Sequence, residues 1–220
     1  MNLGPLWLSV QLATITMLLL LLIATPLGWW LARTRSRARP VIQAIVALPI
    51  VLPPTVMGFY LLILLGPAGA IGAWWLELTG SALTFSFAGL VIASCIYSLP
   101  FAVQPIMSAF AAVPEGDLEA AWTLGADRRD AFFSIALPQS THGYLNAAVL
   151  SFAHTLGEFG VVLMVGGNIP GETRLISIDI YDQVESLNYA AAHQLSAILL
   201  LFAFAILLSL FVVNRRWQQR

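Results

Sequence analysis

Five stretches of the chain, at about 6–32, 41–65, 84–112, 143–166 and 191–213, are almost wholly apolar. Each is long enough to cross roughly 30 Å of hydrocarbon as a helix, which takes about 20 residues. None shows the every-other-residue alternation of a half-buried strand, so the pattern predicts an all-α polytopic membrane protein with about five transmembrane helices. No positive segment precedes the first stretch, and its run from Leu6 to Ala32 is too long for the core of a cleaved signal. We read it as a retained transmembrane helix. Between the second and third stretches, "GPAGAIGAWWLELTG" mixes helix breakers with Trp74 and Trp75. That mixture predicts a short loop with a shallow turn at the membrane interface.

The polar positions between the stretches are as ordered as the stretches themselves. Arg33, Arg35, Arg37 and Arg39 follow the first, Arg128 and Arg129 lie between the third and fourth, and Arg215, Arg216 and Arg220 follow the fifth. Of ten arginines, only Arg174 falls on the other side of a five-span chain. Because cytoplasmic loops collect arginine and lysine, this places the N-terminus in the periplasm and the C-terminus in the cytoplasm. A sixth span would put the tail's arginines on the wrong side.

One polar segment, residues 113–139, has helix signals of its own. Pro114 suits a first helical position, and Glu115, Asp117 and Glu119 crowd a first turn where acids favour the helix dipole. Gly125 fits a C-terminal stop, Asp127 an N-cap, and Leu137-Pro138 the close of a second short helix. Leu118, Ala121 and Trp122 form an apolar face at helical spacing. With five acids against two arginines, this cytoplasmic loop fits a protein partner better than an anionic lipid surface.

Composition agrees with the pattern: 59% of residues are apolar, 10% are charged, and mean hydropathy is +0.85. The chain has no lysine and carries nothing like the basic stripe of a nucleic-acid binder. Without lysine it also has no phosphate-cradling P-loop, so any ATP hydrolysis belongs to another chain. A single cysteine, Cys95, excludes an internal disulfide and a thiolate metal cluster.

Two apolar stretches are rich in proline: "LPIVLPPTVMG" carries Pro49, Pro53 and Pro54, and "SLPFAVQP" carries Pro100 and Pro105. Each proline frees a backbone carbonyl that lipid cannot satisfy, so helices two and three are expected to be broken and to line a conduit or a packed interior. His154 and Glu158 stand one helical turn apart in the fourth stretch, where they can bond to each other. A mutually satisfied structural pair is the simpler expectation, and an intramembrane enzyme built on the two is the alternative from another class. No serine or cysteine nucleophile is paired with them by a recognisable spacing, and no third ligand completes a metal triad.

Glu119-Ala120-Ala121, Gly125, Ile135 and Leu137-Pro138 match without gaps the EAA motif of ABC importer permeases, in the position that motif takes after a third span. The resemblance implies a type I importer permease fold over residues 1–220. Loop 113–139 would be the cytoplasmic coupling loop, in which Glu119 orients the loop, Ala120 and Ala121 allow close approach, and Gly125 makes the turn. Trp122 departs from the polar or basic residue common in relatives. "LPIVLPPTVMGFYLLILLG", "LGEFG" at 156–160 and the segment 166–192 resemble molybdate permeases, with the longer sulfate and thiosulfate permeases as the competing reading.

The family implies a multi-pass protein of the bacterial inner membrane: a homodimer bedded in lipid, with two ABC ATPase subunits and a periplasmic oxyanion-binding protein. It implies no cofactor or metal on this chain, ATP and Mg being held by the ATPases, and no catalytic residues. Candidate path residues are Pro49, Pro53, Pro54, Gly157, Glu158 and Gly160. In the expected periplasmic loop 167–190, Glu172 and Arg174 are candidates for docking the binding protein. Relatives often carry arginine where His154 stands, and no arginine lies within an apolar stretch. The passage is therefore expected to hold its dianion weakly, through backbone dipoles, hydroxyls and small residues, with selectivity left to the delivery protein.

Overall fold

The computed structural model describes residues 3–218; Arg220, part of the charge argument above, lies outside the described residues. Three helices are long and apolar enough to cross a bilayer whole: α1 (Gly4–Arg33), α5 (Phe87–Ala112) and α12 (Tyr189–Gln218). Two more crossings are bent pairs. The first joins α2 (Arg39–Val51) and α3 (Pro54–Leu65) at 113°, and the second joins α9 (Thr141–Leu156) and α10 (Gly160–Gly166) at 62°.

The α2–α3 bend follows from the proline pair. Leu52, driven to extended ψ by the proline after it, ends α2, and Pro54 opens α3 at the one position where a missing N–H costs nothing. Contacts show that the pair nonetheless passes from one end of the bundle to the other. Gln43 on α2 donates to Met107 near the Ala112 end of α5, while Leu61 and Leu65 on α3 pack with Leu83, Ala93 and Val165 near its Phe87 end.

α1 and α5 run parallel: Leu12 packs with Leu90, and Leu31 shares a core with Phe110. α9 runs antiparallel beside them. These three helices approach closely because small residues line the seams. A Cβ on Gly28 of α1 would stand 2.9 Å from Ile106, and one on Gly143 of α9 would stand 2.8 Å from the Pro105 carbonyl oxygen.

Five expectations need correction. α5 continues as an α-helix through Pro100 and Pro105, so the third stretch is not broken. Packed between α1 and α9, it loses one ladder bond per proline and keeps its course. The segment before it is not a loop with a turn but the helix α4 (Ala70–Thr79), closed by Gly80 in the left-handed region at φ +73°.

The charged loop begins as expected, with α6 (Glu115–Thr123), Gly125 at φ +92°, and Asp127 accepting from the N–H groups of Arg129 and Asp130 at the start of α7 (Arg128–Ala131). Pro114 sits one place outside the helix, however, as its N-cap. Nor does Leu137-Pro138 end the helical run. A π turn, Phe132–Ala136, shifts the hydrogen-bond register and hands the chain to α8 (Leu137–Gln139), where Pro138 lies in a first turn that needs no donor. Finally, the expected loop 167–190 contains a helix, α11 (Ile176–Glu185), whose Ile178 is buried with Leu12, Leu90 and Val162.

Candidate functional site

The two breaks meet. A Cβ on Gly160, at the start of α10, would lie 2.7 Å from the Pro54 Cβ at the start of α3, so the second half of each bent crossing begins against the other. Gly58 continues the seam against Val161 and Met164. Of the other path candidates, Pro49 is buried within α2, while Pro53 and Gly157 are exposed.

The α9–α10 break uses no proline. Gly157 closes α9 by donating to the Ala153 carbonyl, Glu158 and Phe159 leave the helix, and Phe159 adopts φ −130°, ψ −60°. The expected His154–Glu158 bond is absent, because α9 ends at Leu156 and the one-turn register stops there. His154 Nδ1 instead meets the Ser98 hydroxyl at 2.9 Å, and its ring stacks on Phe101 at 4.0 Å. The Ser98 hydroxyl also meets Thr155 Oγ1 at 2.9 Å. A serine does therefore pair with His154, contrary to the spacing argument. That serine is fully buried, and no carboxylate orients the ring.

Glu158 is only 4% exposed, and neither of its carboxylate oxygens has a hydrogen-bond partner by distance and angle among the described residues. The Ser94 hydroxyl lies within electrostatic reach, yet it too is buried and unpartnered. What holds this residue is its backbone, whose carbonyl accepts from the Ser177 hydroxyl of α11 at 2.6 Å. The next turn outward is tied to α1, since the Ile176 N–H donates to Ser9 Oγ at 2.9 Å, and Tyr181 packs against Phe159 with ring centroids 5.0 Å apart. α11 thus pins the break, a role that the loop composition of 167–190 concealed.

Glu172 and Arg174 do not meet. Glu172 is exposed, whereas Arg174 donates through Nε to Asn168 at 2.6 Å and pairs with Asp182 at 3.8 Å. Arg174 also borders a cavity of about 650 Å³ whose wall includes Gln11, Asp179, Gln183 and Gln194.

In the charged loop the EAA residues divide. Glu119, Ala120, Gly125 and Pro138 are exposed; Ala121, Ile135 and Leu137 are half-buried. The apolar face expected to await a partner is split as well. Leu118 is buried in the chain's own core, leaving Trp122 at 46% and Leu124 at 88% exposure. Gln139 donates to Asp117 at 2.8 Å and closes the loop on itself.

At the loop's base stands a residue that the sequence presented only as a topology marker. Arg33 Nη2 donates to the carbonyls of Phe110 and Val113, 2.9 and 2.8 Å away. No local signal links positions so far apart in sequence; only the parallel packing of α1 and α5 brings them together.

Residues 24–220 match the family described as binding-protein-dependent transport system inner membrane component. The chain is 52% identical over 97% of its length to the molybdenum transport system permease protein ModB of Azotobacter vinelandii, covering 95% of that protein. It is 30% identical over 88% of its length to the sulfate transport system permease protein CysT of Escherichia coli K12, covering 70% of it. Among solved structures, the inward-facing MetNI methionine ABC transporter aligns with a TM-score of 0.73 at 16% identity, over 96% of this chain and 94% of that one, a likeness of fold. Fold, span pattern and match together make this a multi-pass inner-membrane protein and a transporter's membrane subunit. The chain belongs to the family of binding-protein-dependent transport system inner-membrane components.

Proposed function

We propose that the chain is the translocating subunit of an ATP-driven importer that carries molybdate into the cytoplasm, with tungstate, a dianion of nearly the same size, as its natural competitor. The observation that carries this reading is the end-to-end 52% identity to a molybdenum transport permease, set against 30% to a sulfate permease. In this reading the N-terminus faces the periplasm. Two copies enclose the path, and the α3–α10 seam with Pro49, Pro53, Pro54, Gly157, Glu158 and Gly160 belongs to it. Loop 113–139 docks on a separate ABC ATPase, one per permease copy, which holds ATP and Mg. Glu119, Ala120 and Gly125 are exposed there, as a contact surface requires. Closure of the ATPase pair on ATP would move the loop as a rigid body. On the outer side, Glu172 and Arg174 help seat a periplasmic oxyanion-binding protein that supplies selectivity.

The test is uptake in a strain lacking the gene, complemented by this chain and its partners, with molybdate, tungstate and sulfate in competition. Uptake that tungstate competes for and sulfate does not is the expected result. Competition by sulfate alone would transfer the chain to the sulfate class. Loss of the co-purifying ATPase on replacing Glu119 and Gly125 is expected as well, and its retention would remove the loop from the docking surface.

A further inference from the structure

Four arginines stand at and just beyond the end of α1, and they are not alike. Arg35 and Arg37 are exposed, as charges at a membrane surface are, whereas Arg33 is half-buried and turned onto the end of α5. Its Nη2 reaches the Phe110 and Val113 carbonyls at the C-terminal end of α5, where the Val113 N–H gives the Phe110 carbonyl only a long 3.3 Å bond and Pro114 has no N–H to offer. A cation there also meets the negative end of the helix dipole. Val113 is the residue from which the chain leaves α5 for loop 113–139, so Arg33 grips the joint where the loop departs.

One turn earlier on α1, Trp29 grips the joint where the loop returns. Its ring meets Phe132, the first residue of the π turn, edge to face at 5.2 Å, and the buried Phe110 at 5.1 Å. The Arg33 guanidinium lies over the same indole at 5.3 Å, so the two residues support each other. A cavity of about 280 Å³ lies beside this clasp, bordered by Trp29, Arg33, Glu115 and Trp122, with Leu118 of α6 buried in the core next to it.

We infer that Arg33, backed by Trp29, is a positioning residue that clasps both ends of loop 113–139 to α1, so that a displacement of the loop carries α1 and α5 together. Without the clasp, α1 would follow the loop only through apolar packing, by way of the core that Leu31 shares with Leu118 and Ala131 and its seam with α5. The inference rests on the reading that this loop meets an ATPase.

The test uses the assembled complex with its ATPase and binding protein in proteoliposomes, reading molybdate moved per ATP hydrolysed. Arg33→Gln is expected to leave hydrolysis nearly intact and to lower transport per ATP at least about tenfold, the scale of losing two charge-assisted bonds. Arg33→Lys, which keeps the charge, is expected to recover part of the loss. Trp29→Leu leaves Arg33 in place and decides the matter if Arg33→Gln does not assemble; a wild-type ratio there overturns the clasp. So does an unchanged ratio in Arg33→Gln, or a parallel fall of hydrolysis and transport. A second readout does not depend on the cargo. Spin labels at the exposed positions Leu22 and Thr123, in a Cys95→Ser background, are expected to keep one separation with and without ATP in the otherwise native chain and to drift apart or broaden in Arg33→Gln. A native complex that hydrolyses ATP but moves no molybdate would overturn the cargo assignment, and the label distances would still judge the clasp. Equal distances in both chains overturn it.

Discussion

α5 and the α9–α10 pair lie side by side and treat an interrupted hydrogen-bond ladder in opposite ways. α5 contains Pro100 and Pro105 and runs unbroken from Phe87 to Ala112. The α9–α10 crossing contains no proline in its helices, yet it bends by 62° at Gly157–Phe159. The difference lies in what surrounds each. α5 is sandwiched between α1 and α9, with glycines drawing both neighbours in, so a missing bond has no room in which to become a bend. The α9–α10 break is held open from outside, by Ser177 on the Glu158 carbonyl and by Pro54 against Gly160. It also leaves a buried carboxylate with only the nearby Ser94 hydroxyl to offset its burial, a cost that a purely structural kink has no reason to carry.

The contrast breaks most sharply at Gly160. Gly160→Leu drives a side chain into Pro54 where even a Cβ would come within 2.7 Å. Overpacking of this kind costs about 1–3 kcal/mol, and here it separates the two half-helices that line the proposed path. Molybdate uptake is expected to fall to background, with a lower melting temperature for the purified complex; near-normal uptake would mean that the breaks need not touch.

Glu158→Leu should separate stability from function. Removing a buried carboxylate that has only the Ser94 hydroxyl near it relieves about 1–3 kcal/mol, so the melting temperature should rise while uptake falls. A drop in melting temperature would show that the carboxylate finds a partner in the assembled protein. Ser177→Ala, which takes one hydrogen bond from the break, is expected to cost about 1 kcal/mol and to reduce uptake less than either change, measured by the same pair of assays.

Much of this was legible in the sequence. The five crossings and the sites of Gly125 and Asp127 follow from length, apolarity and local capping, which depend on near neighbours. The break at Gly157 did not follow, because "LGEFG" is an ordinary helix end only once α11 and α3 are placed beside it. α11 itself was hidden because its isoleucines at 176, 178 and 180 alternate at a strand's spacing rather than a helix's, and it owes its place to Ile178 fitting among Leu12, Leu90 and Val162. The role of Arg33 depends on a carbonyl on another helix, and nothing near Arg33 in the chain names that carbonyl. Prolines misled in one direction only: they were sound signals where two stood together, at Pro53-Pro54, and poor ones in the clamped α5.

The smallest effect, and the finest test of the comparison, is expected at Pro100. Pro100→Ala restores an N–H that can donate to the Ile96 carbonyl, a bond with a net contribution of about 0.5–1.5 kcal/mol. It also removes ring carbons from a buried site, at about 0.8 kcal/mol per CH2 lost from packing. The two nearly cancel, so the melting temperature of the complex should hardly move. If α5 is only a clamped helix, uptake should not move either. If uptake collapses while stability holds, the carbonyl freed by Pro100 holds a hydrogen-bond donor in place beside the path, since an acceptor cannot itself bond a dianion, and the unbroken helix would join the broken one in the path.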